Sequence, residues 1–204
     1  MTRTWAASQI GVSVRSTIDG ERRDLRGAGE VAIDKGYGDI DWTSGDSHGR
    51  ELVNDRAIFT QSEAPGGAWV RTESSDRTPT SAFADPLRHL TRLEHVSPSG
   101  TAQLDGFEAA RYHGTLPVTA ANLEGLALTD DDVARVIATV GPAQSIDVTV
   151  WVDPHHRIVR IDRSLELDGD APIAVSVMAS TNLTNFGVML DLESPPSASV
   201  STQP

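Results

Sequence analysis

The strongest constraint in this chain is a period of two. In SQIGVSVRSTIDGERRDL, Ile10, Val12, Val14 and Ile18 share one parity, and polar residues fill most of the other. Successive strand side chains point to opposite faces, so the pattern describes a strand with one buried face. Asp19-Gly20 follows as a hairpin turn. LRGAGEVAID continues with Leu25, Val31 and Ile33 on one face; Gly27 and Gly29 lie on that face too, where they permit bending or a bulge.

The pattern recurs along the chain. DKGYGD and SGDSHG read as turns around a short DIDW strand, and RELVN and RAIFTQ as strands joined near Asn54-Asp55. EAPGGAW is another turn, followed by a strand around Trp69-Val70; further Asp-Gly turns stand at Asp105-Gly106 and Asp168-Gly169. Four strands are expected between Ile146 and Leu192. The first carries Ile146, Val148, Val150 and Val152, and the second Val159, Ile161, Leu165 and Leu167. The third carries Ile173, Val175 and Val177, and the last Phe186, Val188, Leu190 and Leu192.

Helices are few. Asp85-Pro86 reads as an N-cap with proline at the first helical position, leading into a Leu87, Leu90, Leu93 stripe. TDDDVARVIATVGP has Thr129 as cap and Asp132 three residues on. Val133, Val136, Ile137 and Val140 form its apolar face, and Gly141-Pro142 stops it. A third, shorter helix fits within Ala120 to Leu126. After Leu192, ESPPSASVSTQP reads as a disordered or extended tail. The expectation is α+β: a single domain over residues 1–192 and a flexible tail over 193–204. About ten strands form a large antiparallel sheet, apolar on one face and curved around two or three helices, a half-barrel.

Composition excludes more than it selects. A formal net charge of -12 argues against nucleic-acid binding and against docking on anionic lipid through a basic patch. There is no cysteine, which removes disulfides, zinc-thiolate sites and cysteine nucleophiles. No apolar run reaches the ~18 residues of a membrane-spanning helix, and no signal peptide is legible at the start. The chain is expected to be cytoplasmic or to be a form without its leader.

Three patterns could carry chemistry. Gly45-Asp46-Ser47-His48-Gly49 matches G-x-S-x-G, but a nucleophile elbow needs a helix after the serine, and RELVNDRAIFTQ has no helical stripe. The expected reading is a hairpin turn, with a serine hydrolase using Ser47 as the remote alternative. His155-His156 beside Asp153 reads as a turn begun by Asp-Pro rather than a chelate, and His89 and His95, placed on the leucine helix, do not converge around its axis. No metal and no cofactor is expected.

A more specific signal lies in the C-terminal half. IDVTVWVDPHHRIVRIDRSLEL followed by NFGVMLDLESPPSASV resembles actinobacterial lipoproteins of the LprG/LppX type, which are similar in fold to the LolA lipoprotein carriers. The shared places are Val148, Val150, Trp151, Val152, Asp153, Arg157, Val159, Arg160, Phe186, Gly187, Pro195 and Pro196. LDGFEAARYHGTL resembles the family's central hairpin, and Asp85-Pro86-Leu87 its D-P-x-x-L-L helix. No lipobox cysteine is present, and the family's first helix is reduced to about TWAASQ.

The resemblance implies a non-enzymatic, extracytoplasmic protein of the cell envelope. It would hold a lipid or acyl chain between sheet and helices, with a membrane tether in its full-length form and a possible membrane-protein partner. Strand parity and helix stripes select the candidate lining: Ile10, Val12, Val14, Val31, Ile33, Leu87, Leu90, Val133, Val136, Ile137, Val148, Val150 and Val175. Trp151 has the opposite parity, on the convex face or at the rim. The alternative is a protein-interaction or signalling-regulatory module of the same fold without lipid cargo.

Overall fold

The structure, a computed structural model, describes residues 3–54, 57–62, 67–73, 87, 89–123, 125–140, 144–167 and 173–202. Among the described residues twelve strands occur in chain order: β1 Arg3–Ile18, β2 Glu21–Ala32, β3 Tyr37–Ser44, β4 Ser47–Val53, β5 Ala57–Ser62, β6 Trp69–Glu73, β7 Glu94–Leu104, β8 Phe107–Pro117, β9 Ser145–Val152, β10 Ile158–Leu167, β11 Val175–Leu192 and β12 Val200–Thr202. Helices α1, Ala120–Leu123, and α2, Asp130–Val140, fall between β8 and β9. The strands form one sheet in the order β12-β6-β5-β4-β3-β2-β1-β11-β10-β9-β8-β7. Neighbours from β2 to β6 and from β7 to β11 are antiparallel, and β12 runs parallel to β6. The class is α+β with few helices, as the alternation predicts.

Local chemistry explains the turns. Asp19-Gly20 and Asp105-Gly106 both take positive φ at their two central residues (49° and 86°, 49° and 89°), the geometry that matches strand twist in a two-residue hairpin. Ile33 does not continue β2. It opens a 3₁₀ turn, Ile33–Lys35, that Gly36 closes in the left-handed region at φ 64°. The cap expected at Thr129 is formed: Thr129 Oγ1 accepts from the Asp132 amide at 3.2 Å, and Asp132 Oδ2 accepts from the Thr129 amide at 3.1 Å.

Several expectations are corrected. The segment from 146 to 192 holds three strands, because its third and fourth merge into the 18-residue β11. Buried positions along β11 run Val175, Val177, Ala179, Thr181, Leu183 and then change parity to Leu190. The change is taken up at Asn185 and Gly187, which sit at φ 47° and 92°. Of the expected leucine helix, the described residues form one 3₁₀ turn at Leu90–Arg92, and His95 lies in β7. Asp85-Pro86, Gly141-Pro142 and Asp168-Gly169 fall outside the described residues. Beyond Leu192 the chain makes a 3₁₀ turn, Ser197–Ser199, and then β12.

Contacts divide the chain into two compact units, where composition shows no seam. The first comprises Met1–Val12, Leu25–Leu87 and Leu183–Pro204; the second Ser13–Asp24 and Arg88–Asn182. In the first unit β4 and β5 are buried on both faces, not one. The cross-strand row Val31, Gly38, Val53, Ile58 lies on one face. Leu52, Phe59 and Trp69 lie on the other, clustered with Ala57 and packed by Leu192 and Val200. Contiguous apolar pairs, Leu52-Val53 and Ile58-Phe59, are the sequence mark of two-sided burial.

In the second unit burial is one-sided. Val14 and Ile18 on β1, Val148 and Val150 on β9, Ile161 and Leu165 on β10, and Val175 and Val177 on β11 are all buried. The registers place Val150 against Ile161 and Leu165 against Val177.

Candidate functional site

The sheet face of the second unit is where the sequence places most of the proposed lining. Strand parity puts Val14, Val148, Val150 and Val175 on it, each nearly inaccessible to solvent. Ser16 shares that parity, and its Oγ donates to the Ala127 carbonyl at 3.0 Å. That bond lays the α1–α2 connection against this face. Leu123 and Leu126 are fully buried there-about in sequence, just ahead of α2.

Polar links hold α2 to the β1–β2 hairpin. The Arg23 guanidinium pairs with the Asp132 carboxylate, whose side chain is 8% exposed. Arg135 pairs with Asp19, and Asp19 Oδ1 also accepts from the Ala174 amide at 3.1 Å. The Thr129 hydroxyl, aided by Arg23, outweighs the opposing effect of burial and holds the Asp132 carboxyl down at about 2.

The apolar stripe of α2 is only partly used. Of the candidate lining residues on it, Val136 is fully buried, Val133 is half-buried and Ile137 is 37% exposed; Val140, also on the stripe, is half-buried. The stripe is wider than the contact because the helix is anchored through Asp132 and Arg135, which rotate its charged flank toward the hairpin. Leu90 is half-buried in its 3₁₀ turn. In the first unit Ile10, Val12 and Val31 are buried, while Ile33 and Leu87 are half-buried. The thirteen candidates are therefore divided between two units, and five of them, Ile33, Leu87, Leu90, Val133 and Ile137, keep solvent contact.

Trp151 lies on the opposite sheet face from Val148 and Val150. The Arg160 guanidinium sits over its ring, 5.1 Å from the centroid, and Trp151 pairs with Arg111 on one side and Arg160 on the other.

The other candidate chemistries resolve as turns. Gly45 takes φ 58° in the two-residue turn between β3 and β4, and Ser44 pairs with Ser47. Ser47 therefore begins a hairpin strand, without the helix a nucleophile elbow requires. Asp153 caps the His155-His156 turn: its Oδ1 accepts from the amides of His155 (2.8 Å) and Arg157 (2.9 Å), and its Oδ2 from Arg157 Nε at 2.8 Å. Burial pushes the Asp153 carboxyl up, but these bonds outweigh it and hold it below the ordinary carboxylate range. Among the described residues, no three His, Asp or Glu side chains are placed to hold a metal ion, and no helix is long and apolar enough to cross a membrane.

Two surface concavities had no signal in the sequence. One, of about 430 Å³ in the first unit, is lined by Arg50, Leu52, Trp69 and the Pro195-Pro196 pair. The other, of about 390 Å³ in the second unit, is lined by Arg15, Arg160, Met178 and serines. Both draw residues from strands distant in sequence, so no local spacing announces them.

No protein-family model matches the sequence, and no curated protein matches it. Among solved structures, the chain is similar to LprF from Mycobacterium bovis (14% identity over 89% of this chain and 85% of that one, TM-score 0.46). It is similar to the lipoprotein LppX of Mycobacterium tuberculosis (15% identity over 89% and 87%, TM-score 0.36). It is also similar to a LolA superfamily protein from Nitrosomonas europaea (11% identity over 95% and 89%, TM-score 0.31). The solved structures that the chain resembles include LppX, of the lipoprotein type its sequence motifs resemble, and a LolA superfamily protein.

Proposed function

We propose that the chain is an extracytoplasmic carrier or sensor that holds a lipid or other apolar ligand against the sheet of its second unit. The observation that carries this reading is the half-used stripe of α2. An apolar sheet face bearing Val14, Val148, Val150 and Val177 stands beside a helix of which one apolar side chain, Val136, is fully buried and Ile137 is not. An acyl chain entering along that stripe gains about 0.8 kcal/mol for each methylene removed from water. Polar links tie this helix to the β1–β2 hairpin through Asp19 and Arg23, and the connection before it to β1 through Ser16. No covalent chemistry is assigned; binding and release are the activity.

Native mass spectrometry of the purified protein, with organic extraction and lipid analysis, tests the reading. A bound acyl species released on denaturation supports it. An apo mass, with no uptake from added phospholipid or fatty acid, overturns it.

A further inference from the structure

The opposite sheet face of the second unit holds the concavity of about 390 Å³. It exists because short side chains stand among long ones. Ser13, Ser164 and Ser180 leave depth, and Arg15, Arg160 and Met178 wall it. The register sets Ser164 beside Met178 and Asp162 beside Ser180, and β1 neighbours β11.

The walls are cationic in a chain of net charge -12. Three arginines, Arg15, Arg160 and Arg163, belong to the lining. Arg15 and Arg160 each spend Nε on a carboxylate, Arg15 on Asp24 at 3.2 Å and Arg160 on Asp162 at 2.9 and 3.1 Å. Their terminal Nη groups make no bond among the described residues, and Arg15 is 55% exposed. The Trp151 ring beneath Arg160 holds that guanidinium in place. Asp162, the one carboxylate in the lining, is already engaged by Arg160. At the base, Ser180 Oγ is shielded from solvent and has no hydrogen-bond partner, a state that carries a cost until an acceptor arrives.

We propose that this concavity binds a phosphate-type oxyanion. Two guanidinium forks and surrounding hydroxyls match a compact tetrahedral group with several acceptor oxygens better than a planar carboxylate, which one fork alone would satisfy. A lipid headgroup and free inorganic phosphate present the same chemistry. The inference does not depend on the apolar ligand proposed above, because the two sites lie on opposite faces of the sheet.

The test titrates the full chain with inorganic phosphate at constant ionic strength, following backbone amides by nuclear magnetic resonance. Parallel co-sedimentation uses vesicles of phosphatidylglycerol and of phosphatidylcholine. Saturable shifts at Ser164 and Ser180, weakened about tenfold in both Arg160→Gln and Arg15→Gln, support the site. Unchanged melting temperatures for the two variants separate lost binding from lost folding. Phosphate binding without sedimentation assigns free phosphate as the source. Sedimentation with phosphatidylglycerol that requires Arg160 assigns a headgroup. No saturable response to either probe, or a response equal in wild type and both variants, overturns the proposal.

Discussion

The indole of Trp42 lies across Gly49, its cross-strand partner in the β3–β4 hairpin. A Cβ on Gly49 would stand 2.6 Å from Trp42 Cζ2 and 2.4 Å from the Gln61 carbonyl oxygen. Both glycines of the G-x-S-x-G pattern are thereby accounted for without a nucleophile. Gly45 supplies a positive φ for the turn, and Gly49 makes room for the ring.

Gly49→Ala is therefore expected to cost about 2 kcal/mol or more, since backbone and an indole must both give way. Ser47→Ala, on the exposed strand face, stays within about 0.5 kcal/mol. Urea denaturation of both variants checks this. A neutral Gly49→Ala would remove the packing account of the motif.

Asp132 sets an acid limit. Its carboxyl lies at about 2 when folded, below the ordinary ~3.9 of an unfolded chain. The folded value is the lower one, so the stabilisation is fully present above pH ~4 and is lost as pH falls toward 2. With Arg23 partly exposed, solvent screens the pair, and the contribution is about 1–2 kcal/mol. Denaturation curves of wild type and Asp132→Ala should differ by this amount at pH 7 and converge near pH 2. A gap that persists at pH 2 would assign the loss to packing.

Asp153 organises the turn between β9 and β10 by accepting two amides and the Arg157 guanidinium. Asp153→Ala removes the acceptor that holds these donors together and is expected to cost about 1 kcal/mol or more. Asp153→Asn keeps acceptors for the amides and loses the charge, so its cost should be smaller. Equal costs for the two would show that the side chain's volume, not its bonds, matters.

The parity change in β11 rests on left-handed backbone. A Cβ at Gly187 would meet nothing within 4 Å, so any penalty there comes from φ alone. Gly187→Ala is expected to cost about 1 kcal/mol. Asn185→Val should cost more than Asn185→Gly, since a β-branched residue resists φ 47°. Thermal unfolding of the three variants orders them.

The carrier reading separates stability from binding at Ile137. Ile137 is 37% exposed, so Ile137→Ser should leave the apo protein within about 0.5 kcal/mol of wild type. Loss of one or two methylene contacts would weaken acyl binding about fivefold. Fluorescent fatty-acid titration measures the second quantity, and unchanged affinity would exclude the α2 stripe from the site.

What the sequence by itself determined is whatever depends on neighbours along the chain. Alternation at Ile10, Val12 and Val14 marks a one-sided strand, Asp19-Gly20 a tight hairpin, and Thr129 with Asp132 a capped helix start. Even the odd-to-even switch between Val177 and Phe186 was legible, although it read as two strands. Alternation reports which face is buried, and only the backbone at Asn185 reports that the chain continues through the switch.

The tertiary structure decided everything set by pairing across long separations. It placed β12 beside β6, buried Leu52 and Val53 on opposite faces, and left Ile137 half in water. It also gathered Arg15, Arg160 and Ser180 on one sheet face, where the sequence shows only polar positions of three separate strands. Register between β1, β10 and β11 determines that grouping. A shift of one residue would turn each of these side chains to the other face.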